Sequence, residues 1–354
     1  MEKVDIKSLD INELTEYVKT LGLKAFNAKQ IYTWLHQKNV TTFDDMTNIS
    51  KQSRELLSEN CTVTKLDIAQ KQVSVDGTIK YLYRLPDGNC IETVFMKYEH
   101  GNSICVSSQV GCRMGCKFCA STQNGKVRDL QTSEILSQLY TTEQDTGERV
   151  SNIVLMGIGE PLDNFDNVIK FIKIITSPEG KNISQRNITL STCGVVPKIY
   201  ELAKLKLGIT LAISLHATTN EARKRTMPIT NAYSLEELMK ACRDYAKQTG
   251  RRISFEYAMI KGENDTQEDA IRLSKLLSGF INHVNLIPIN PVDGSPFSQS
   301  DAKIIKDFQS KLAQLNVNAT IRRRLGQDIS AACGQLRNEH RWLNENFGHY
   351  WYRQ

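Results

Sequence analysis

A chain of 354 residues, 40% hydrophobic and 24% charged, can bury a full core and is neither a disordered segment nor a small stapled scaffold. Its 45 Lys and Arg against 39 Asp and Glu leave a net charge of +6, which permits an anionic partner without demanding one. No apolar run reaches the roughly 18 residues of a membrane span, and residues 1–9 are charged rather than shaped as a signal peptide, so a cytoplasmic protein is expected.

From Asp10 onward, Ile11, Leu14, Tyr17, Val18 and Leu21 recur at helical spacing, Asp10 and Glu13 are placed as a capping box, and Gly22 supplies the stop. A second helix is predicted over residues 27–37, with Ile31, Trp34 and Leu35 turned inward, and a third over 50–57. Residues 1–60 therefore read as a small helical domain, its Lys and Arg forming either a solvated face or a substrate-binding surface. The texture then changes to strand-like runs at 62–75, 78–85 and 89–96, separated by Asp76-Gly77 and Asp87-Gly88. Asp-Gly between strands signals a hairpin turn whose two central residues both take positive φ, so residues 61–97 form a short antiparallel β extension. On its last strand Ile91, Thr93 and Phe95 face one way and Cys90, Glu92 and Val94 the other. Glu92 is a carboxylate among apolar neighbours, either a plain edge charge or a group with a raised pKa suited to proton transfer.

Next comes Cys112-x3-Cys116-x2-Cys119. Nine cysteines, an odd number with three in one loop, fit metal binding in a reducing compartment better than a disulfide framework. Iron–sulfur clusters and structural zinc usually take four protein ligands. Three local thiols either borrow a fourth, as a zinc site using Cys105 would, or leave one metal position open for chemistry. Gly111 and Gly115 let the segment wrap a cluster, Phe118 can shield it, and no second C-x2-C pair follows.

Strand-like runs at 103–107, 152–156, 187–191, 209–215, 252–259 and 283–289 alternate with helical stretches such as 166–175, 234–249, 267–277 and 301–315. Strand and helix repeated about six times argue a parallel sheet with right-handed crossovers; the pattern leaves a doubly wound sheet and a barrel both open. Unusual polar residues fall at strand ends: Gly159-Glu160, Ser191, Ser214-Leu215-His216 and Asn290. That is the end where barrels build active sites. Near the C-terminus, after Ile321-Arg322-Arg323-Arg324, the small-residue stretch 326–336 carries Cys333, either a nucleophile or an inert buried thiol. Cys193 lies two residues after Ser191, close to these strand ends, with a structural thiol as its default reading; Cys61 and Cys242 carry no signal of their own, and the aromatic tail 342–354 either packs back or stacks on a substrate.

The set Ile91-Glu92-Thr93-Val94, Cys105, the cysteine triplet, Gly157-Ile158-Gly159-Glu160-Pro161, Ser214-Leu215-His216 and Ala332-Cys333-Gly334-Gln335-Leu336 closely resembles the RlmN/Cfr family of radical S-adenosylmethionine (SAM) RNA adenine methyltransferases, and most resembles its RlmN branch. The resemblance covers nearly the whole chain. It implies an α/β fold, a partial (β/α)6 radical-SAM barrel, with residues 98–330 as the core, 1–60 as a helical domain able to contact RNA, and 331–354 as a loop with the catalytic cysteine and a tail. It implies a [4Fe-4S] cluster on Cys112, Cys116 and Cys119, and two SAM molecules per turnover bound through Gly159, Glu160, Ser191, Ser214, Leu215, His216 and Asn290. Its expected substrates are 23S rRNA and tRNA, methylated at adenine C2.

The implied chemistry begins with methyl transfer from SAM to Cys333. A second SAM then yields a radical that removes hydrogen from that methyl, and the carbon radical adds to C2. Glu92 takes the C2 proton, and Cys105 attacks the sulfur of Cys333, leaving a disulfide for an external thiol reductant. An electron donor of the flavodoxin or ferredoxin kind and a monomeric enzyme are also expected, with Arg322, Arg323 and Arg324 able to contact phosphate. Three rival readings stand beside this one: a Cfr-like enzyme acting at C8, a radical activase of another protein, and a non-catalytic metal-stabilised RNA-binding protein.

Overall fold

A computed structural model describes residues 3–289, 296–323, 325–326 and 328–329. Strand β1 (Val4–Asp5) leads into helices α1 (Ile11–Thr20), α2 (Ala25–His36) and α3 (Lys51–Asn60) and pairs in parallel with β2 (Cys61–Thr62). The expected capping box is present: Asp10 accepts from the Asn12 and Glu13 N–H groups, and Glu13 accepts from the Asp10 N–H at 2.9 Å. The same two carboxylates receive Lys173 and Lys170 from the barrel at 2.6 and 2.8 Å. One hydrophobic cluster runs from Ile6, Leu14 and Ile31 through to Leu286 and Phe308, so the N-terminal helices share a core with the rest of the chain.

Strands β3 (Asp67–Val73), β4 (Ile79–Arg84) and β5 (Cys90–Met96) form the antiparallel extension. The turns differ from expectation. Only Gly77 and Gly88 take positive φ (+82° and +84°), with Gly77 N–H donating to Ser74 O at 3.0 Å and Gly88 N–H to Leu85 O at 2.9 Å. Each is a turn of ordinary hand closed by one left-handed glycine, the longer hairpin in which the Asp keeps negative φ and only the Gly pays no steric cost.

Beyond β6 (Ser103–Cys105) come the small antiparallel pair β7 (Gln109–Gly111) and β8 (Lys126–Asp129), then α4 (Thr132–Thr146), β9 (Asn152–Leu155), α5 (Phe165–Ile175), β10 (Ile188–Thr192), α6 (Val196–Lys204), β11 (Thr210–Ser214), α7 (Asn220–Thr226), α8 (Leu235–Thr249), β12 (Ile253–Met259), α9 (Gln267–Leu276), β13 (Asn282–Pro288), α10 (Ala302–Gln314) and β14 (Ala319–Ile321). One ten-stranded sheet has the order β14-β13-β12-β11-β10-β9-β6-β5-β4-β3, parallel from β6 through β14. Its edges β3 and β14 do not pair with each other among the described residues, so the barrel is partial. The hairpin tip bridges towards the other edge: Asp76 accepts from Gly326 N–H at 2.9 Å, and Asp328 accepts from Ser74 Oγ at 2.5 Å and Val75 N–H at 3.0 Å.

The Gly326 hydrogen bond, ahead of the local bonds from Thr78 and Ser74, holds the Asp76 carboxyl down to about 2 against the unfolded value near 3.8. A depressed carboxyl stabilises the fold above its unfolded pKa and loses that contribution as pH falls through its folded pKa. Hydrogen exchange at Gly326, taken relative to its intrinsic rate, should therefore quicken between about pH 4 and 2, and Asp76→Asn should remove that pH dependence while keeping the slow exchange of the barrel strands.

Candidate active site

The register of the sheet decides what faces the cavity. Opposed residues share a face, so the pairings Glu92 with Leu82, Val94 with Cys105, Cys105 with Val154, Ser191 with Ala212, Ser214 with Glu256 and Glu256 with Asn285 place all of these on the concave side. Ile91, Ile104, Ile153, Leu190 and Phe255 take the other side, in the hydrophobic core. Period-two alternation thus gives each inner strand an apolar back and a polar front.

A cavity of about 290 Å³ opens at the C-terminal strand ends, lined among others by Cys112, Cys116, Cys119, Gly159, Glu160, Ser191, Ser214 and His216. Eight of the ten predicted cofactor and metal residues thus meet at one place. Leu215 does not join them: its side chain is fully buried in the hydrophobic core, and it contributes only backbone groups, its N–H donating to Glu256 O at 3.0 Å and its carbonyl accepting from Arg223 Nε at 3.1 Å. Cys105 and Glu92 are buried on the concave face without lining this cavity. Asn290, Arg324 and Cys333 lie outside the described residues, as does the pairing of Cys105 with Cys333.

The cysteine loop starts where the antiparallel extension meets the parallel strands, after β6. Gly111 has φ +79°, and a Cβ there would stand 2.0 Å from Gly125 O. Cys112 N–H donates to that same carbonyl at 3.0 Å, and the Cys116 carbonyl accepts from Cys119 N–H at 3.1 Å and Thr122 Oγ1 at 3.1 Å. Burial and mutual repulsion push the Cys112 thiol up to about 12, and Cys116 rises for the same reasons. Thiols held this way ionise only beside a metal cation, which fits a cluster. Among the described residues no three His, Cys, Asp or Glu side chains close on a point that could hold one ion. A cluster, with iron at separate corners, asks its ligands to stand further apart than a single zinc does. Phe118 also lines the cavity and meets the His216 ring edge-on at 5.0 Å.

The Gly157–Pro161 turn is equally constrained. A Cβ on Gly157 would meet Ser107 N at 2.7 Å, and one on Gly159, at φ +109°, would meet the Gln109 side chain at 2.6 Å. Glu160 is buried, and burial raises its pKa; Cys193 N–H at 2.7 Å and Leu162 N–H at 3.0 Å pull the other way. Its oxygens are thus aimed before any ligand arrives. His216 sits at φ +56° and accepts the Ala258 N–H on Nδ1 at 2.9 Å, which assigns the proton of the neutral ring to Nε2. Burial, then the nearby Arg223 charge, drives its pKa to about 3, so the ring is neutral across the physiological range.

Cys193, two residues after Ser191, lines the cavity beside Glu160, and burial keeps it a thiol. Other participants were not anticipated. Arg223 is 1% exposed and donates to Leu215 O at 3.1 Å, Ser214 O at 3.1 Å, Cys193 O at 2.6 Å and Thr230 Oγ1 at 2.9 Å. It ties the ends of two inner strands together, and no sequence pattern marks a lone arginine for that duty. Glu256 also lines the cavity, held by Asn285 Nδ2 at 3.0 Å. The signal that picks out Glu92, a carboxylate in an apolar strand, was equally available for Glu256. Glu92 itself is not the bare carboxylate expected: Lys80 Nζ lies 3.0 Å from its Oε2.

Comparison with known proteins agrees with this geometry. Residues 106–274 match the radical SAM superfamily model, and residues 4–63 match the ribosomal RNA large subunit methyltransferase N-terminal domain. A protein of Lachnospira eligens named "Probable dual-specificity RNA methyltransferase RlmN" is 56% identical over 95% of this chain and 96% of its own length. One of the same name from Clostridioides difficile is 51% identical over 96% and 99%. The crystal structure of a radical SAM methyltransferase from Sphaerobacter thermophilus superposes with a TM-score of 0.90 at 39% identity, over 94% of this chain and 98% of that one. A cavity at the mouth of an open (β/α) barrel, lined by three closely spaced thiols and a preset carboxylate, goes with the fold of a radical SAM enzyme. The chain belongs to the RlmN family of radical SAM methyltransferases.

Proposed function

We propose that this protein methylates C2 of adenine in 23S rRNA and in tRNA next to the anticodon, through a methyl group carried on Cys333. The observation that carries the reading is the convergence of Cys112, Cys116, Cys119, Glu160, Ser191, Ser214 and His216 on one cavity, in a chain similar over almost its whole length to proteins named for dual-specificity RNA methylation.

Adenine C2 lies between two ring nitrogens and is electron-poor, so it does not attack a sulfonium methyl as an amine would. Cys112, Cys116 and Cys119 would hold the cluster, with Glu160, Ser191, Ser214, His216 and Asn290 around SAM. Together the bound cluster and SAM supply a carbon-centred radical able to take hydrogen from a methyl group. The protein's own residues do the rest. The Cys333 thiolate takes the methyl from SAM by direct displacement, as the sulfonium carbon–sulfur bond breaks towards the leaving thioether. Glu92, on the concave face, accepts the C2 proton, and Ser107 holds its strand by donating to Glu92 O at 2.6 Å. Once the adduct has given up one electron, for which the bound cluster would be the acceptor, Cys105, on the same face, attacks the Cys333 sulfur: the sulfur–sulfur bond forms as the sulfur–methylene bond breaks, and the carbon keeps that electron pair and takes a proton to become the product methyl. Exposed Arg322 and Arg323 offer phosphate contacts, and the helical domain of residues 1–60 offers a further RNA contact.

The radical SAM core is assigned to residues 98–330 and the cysteine loop and tail to 331–354. An external thiol system reduces the Cys105–Cys333 disulfide, a flavodoxin- or ferredoxin-type protein supplies electrons, and the enzyme works as a monomer in the cytoplasm. Among the described residues no helix is long and apolar enough to cross a membrane.

The test uses anaerobically reconstituted protein, reductant, methyl-labelled SAM and unmodified rRNA, with digestion to nucleosides and a Cys333→Ala variant alongside. Label in 2-methyladenosine that disappears in the variant is expected. Label in 8-methyladenosine would move the protein to the Cfr side, and an intact cluster with SAM cleavage but no methylated base would mean a different substrate.

A further inference from the structure

Lys80 and Glu92 are 0% and 3% exposed and 3.0 Å apart. They sit on adjacent antiparallel strands, Lys80 opposite Val94 and Glu92 opposite Leu82, so they meet across the diagonal of the ladder. Both face the concave side, the side that carries Cys105 next to Val94. A buried ion pair is weak support for a fold, because taking two charges out of water costs about as much as their attraction returns, and two apolar side chains would join β4 to β5 as well. On the helix-facing side the same two strands set Tyr81 opposite Thr93 and Tyr83 opposite Ile91, with no ion pair between them, and the two β4 tyrosines stack on each other at 5.2 Å.

From this pair we propose that Lys80 is a positioning residue for the C2 proton transfer, pairing with Glu92 as its counter-charge and fixing its orientation so that it can accept a proton away from bulk water on the concave face. The inference rests on Glu92 being the proton acceptor of the proposed function. A base has two requirements that burial sets against each other. It must lie away from water beside the substrate carbon, and it must still be charged when the substrate arrives. A carboxylate buried without its cation takes up a proton and has nothing left to accept. Lys80 reconciles the two requirements as a buried counter-charge 3.0 Å from the carboxylate. The step assigned to the pair is a proton transfer alone: the C2–H bond breaks, its electron pair stays in the adenine ring, and the proton forms a bond to a Glu92 oxygen. Until that happens the base remains joined to Cys333 through its methylene carbon, so a failure of Lys80 is visible as a covalent RNA–protein adduct.

The experiment compares wild type, Glu92→Gln, Lys80→Met, Lys80→Arg and the double variant Lys80→Met/Glu92→Gln, all as cluster-loaded full-length protein. Product methyladenosine and the adduct fraction on denaturing gels are measured per mole of folded enzyme. Glu92→Gln should lose about 100-fold or more in turnover and accumulate adduct, the scale of a lost general base. Lys80→Met should fall by a similar factor with the same adduct, and Lys80→Arg should recover most of the activity and clear it. The double variant should be no slower than Glu92→Gln alone, since its second change acts through a group already gone. It also covers misfolding, because a neutral pair folds where a lone buried carboxylate does not. Wild-type turnover in Lys80→Met, lost turnover without adduct, or a double variant losing both factors in full would each overturn the role of Lys80. Wild-type turnover in Glu92→Gln would instead overturn Glu92 as the acceptor, and Lys80 with it.

Discussion

Cys116→Ala is expected to abolish RNA methylation, with a loss of more than about 1,000-fold, while leaving the fold intact. The separation of effects follows from how the loop is held. The Cys116 backbone carbonyl accepts two hydrogen bonds, and the neighbouring Lys117 N–H reaches Thr226 O at 2.9 Å; none of these bonds needs the Cys116 side chain. The thiol, by contrast, is one of three in a ligand set with no evident replacement, because the other thiol on the cavity wall, Cys193, lies beside Glu160 and is kept protonated by burial. Iron content and visible absorbance of anaerobically reconstituted protein should collapse, and the thermal unfolding of apo forms of variant and wild type should coincide. A variant that keeps its iron and its turnover would remove Cys116 from the ligand set.

Gly111→Ala should damage both cluster loading and stability. At φ +79° an added Cβ stands 2.0 Å from Gly125 O, the carbonyl that receives Cys112 N–H. Relief requires β7 and the 125–126 segment to part, and that contact aims the first cluster ligand. Overpacking and left-handed strain together should cost about 2–4 kcal/mol. Gly125→Ala is the control: its φ of +63° is also left-handed, but nothing lies within 4 Å of the added carbon, so only the strain of about 1 kcal/mol remains. Urea unfolding of the two variants and their iron content should separate packing from backbone strain; equal losses would mean that the Gly125 carbonyl gives way easily.

Much of this architecture is visible in the chain's patterning because local rules and tertiary demands agree. The capping box at Asp10 and the alternation along β5 appear where spacing places them, and the helices expected at 234–249 and 267–277 begin at caps on Ser234 and Thr266. Helices α4 and α6 were missed. The first is rich in Thr and Ser, and its helical face is set by burial against the antiparallel extension, where Gln138 joins Thr93 to Ser107. The second has only nine residues, with Pro197 at its start. The predicted strand at 103–107 proved shorter because Ser107 leaves the ladder to bridge Glu92 O and Ile158 N.

The site divides in the same way. Cysteine spacing and carboxylates in apolar strands are anomalies a sequence displays, so the cluster thiols, Glu160 and Glu92 stand out. Partners fixed by register do not, because Lys80 precedes Glu92 by an ordinary hairpin and only the strand pairing makes them diagonal neighbours. Arg223 is legible least of all: between Ala222 and Lys224 it reads as one more charge on a solvated helix, and its burial depends on where two inner strands end.

The bonds from the β3–β4 turn to Gly326 and Asp328 also order events in time. They join residues about 250 positions apart, and contacts of such separation form late, since the loop they close must first give up its freedom. During synthesis the cysteine triplet and the strands lining the cavity emerge early, while the seam between the two sheet edges cannot form until the stretch leading to Cys333 has left the ribosome. A nascent chain thus gathers its helical domain and parallel strands while its barrel still lacks that seam, and Cys333 follows the last tie to be made.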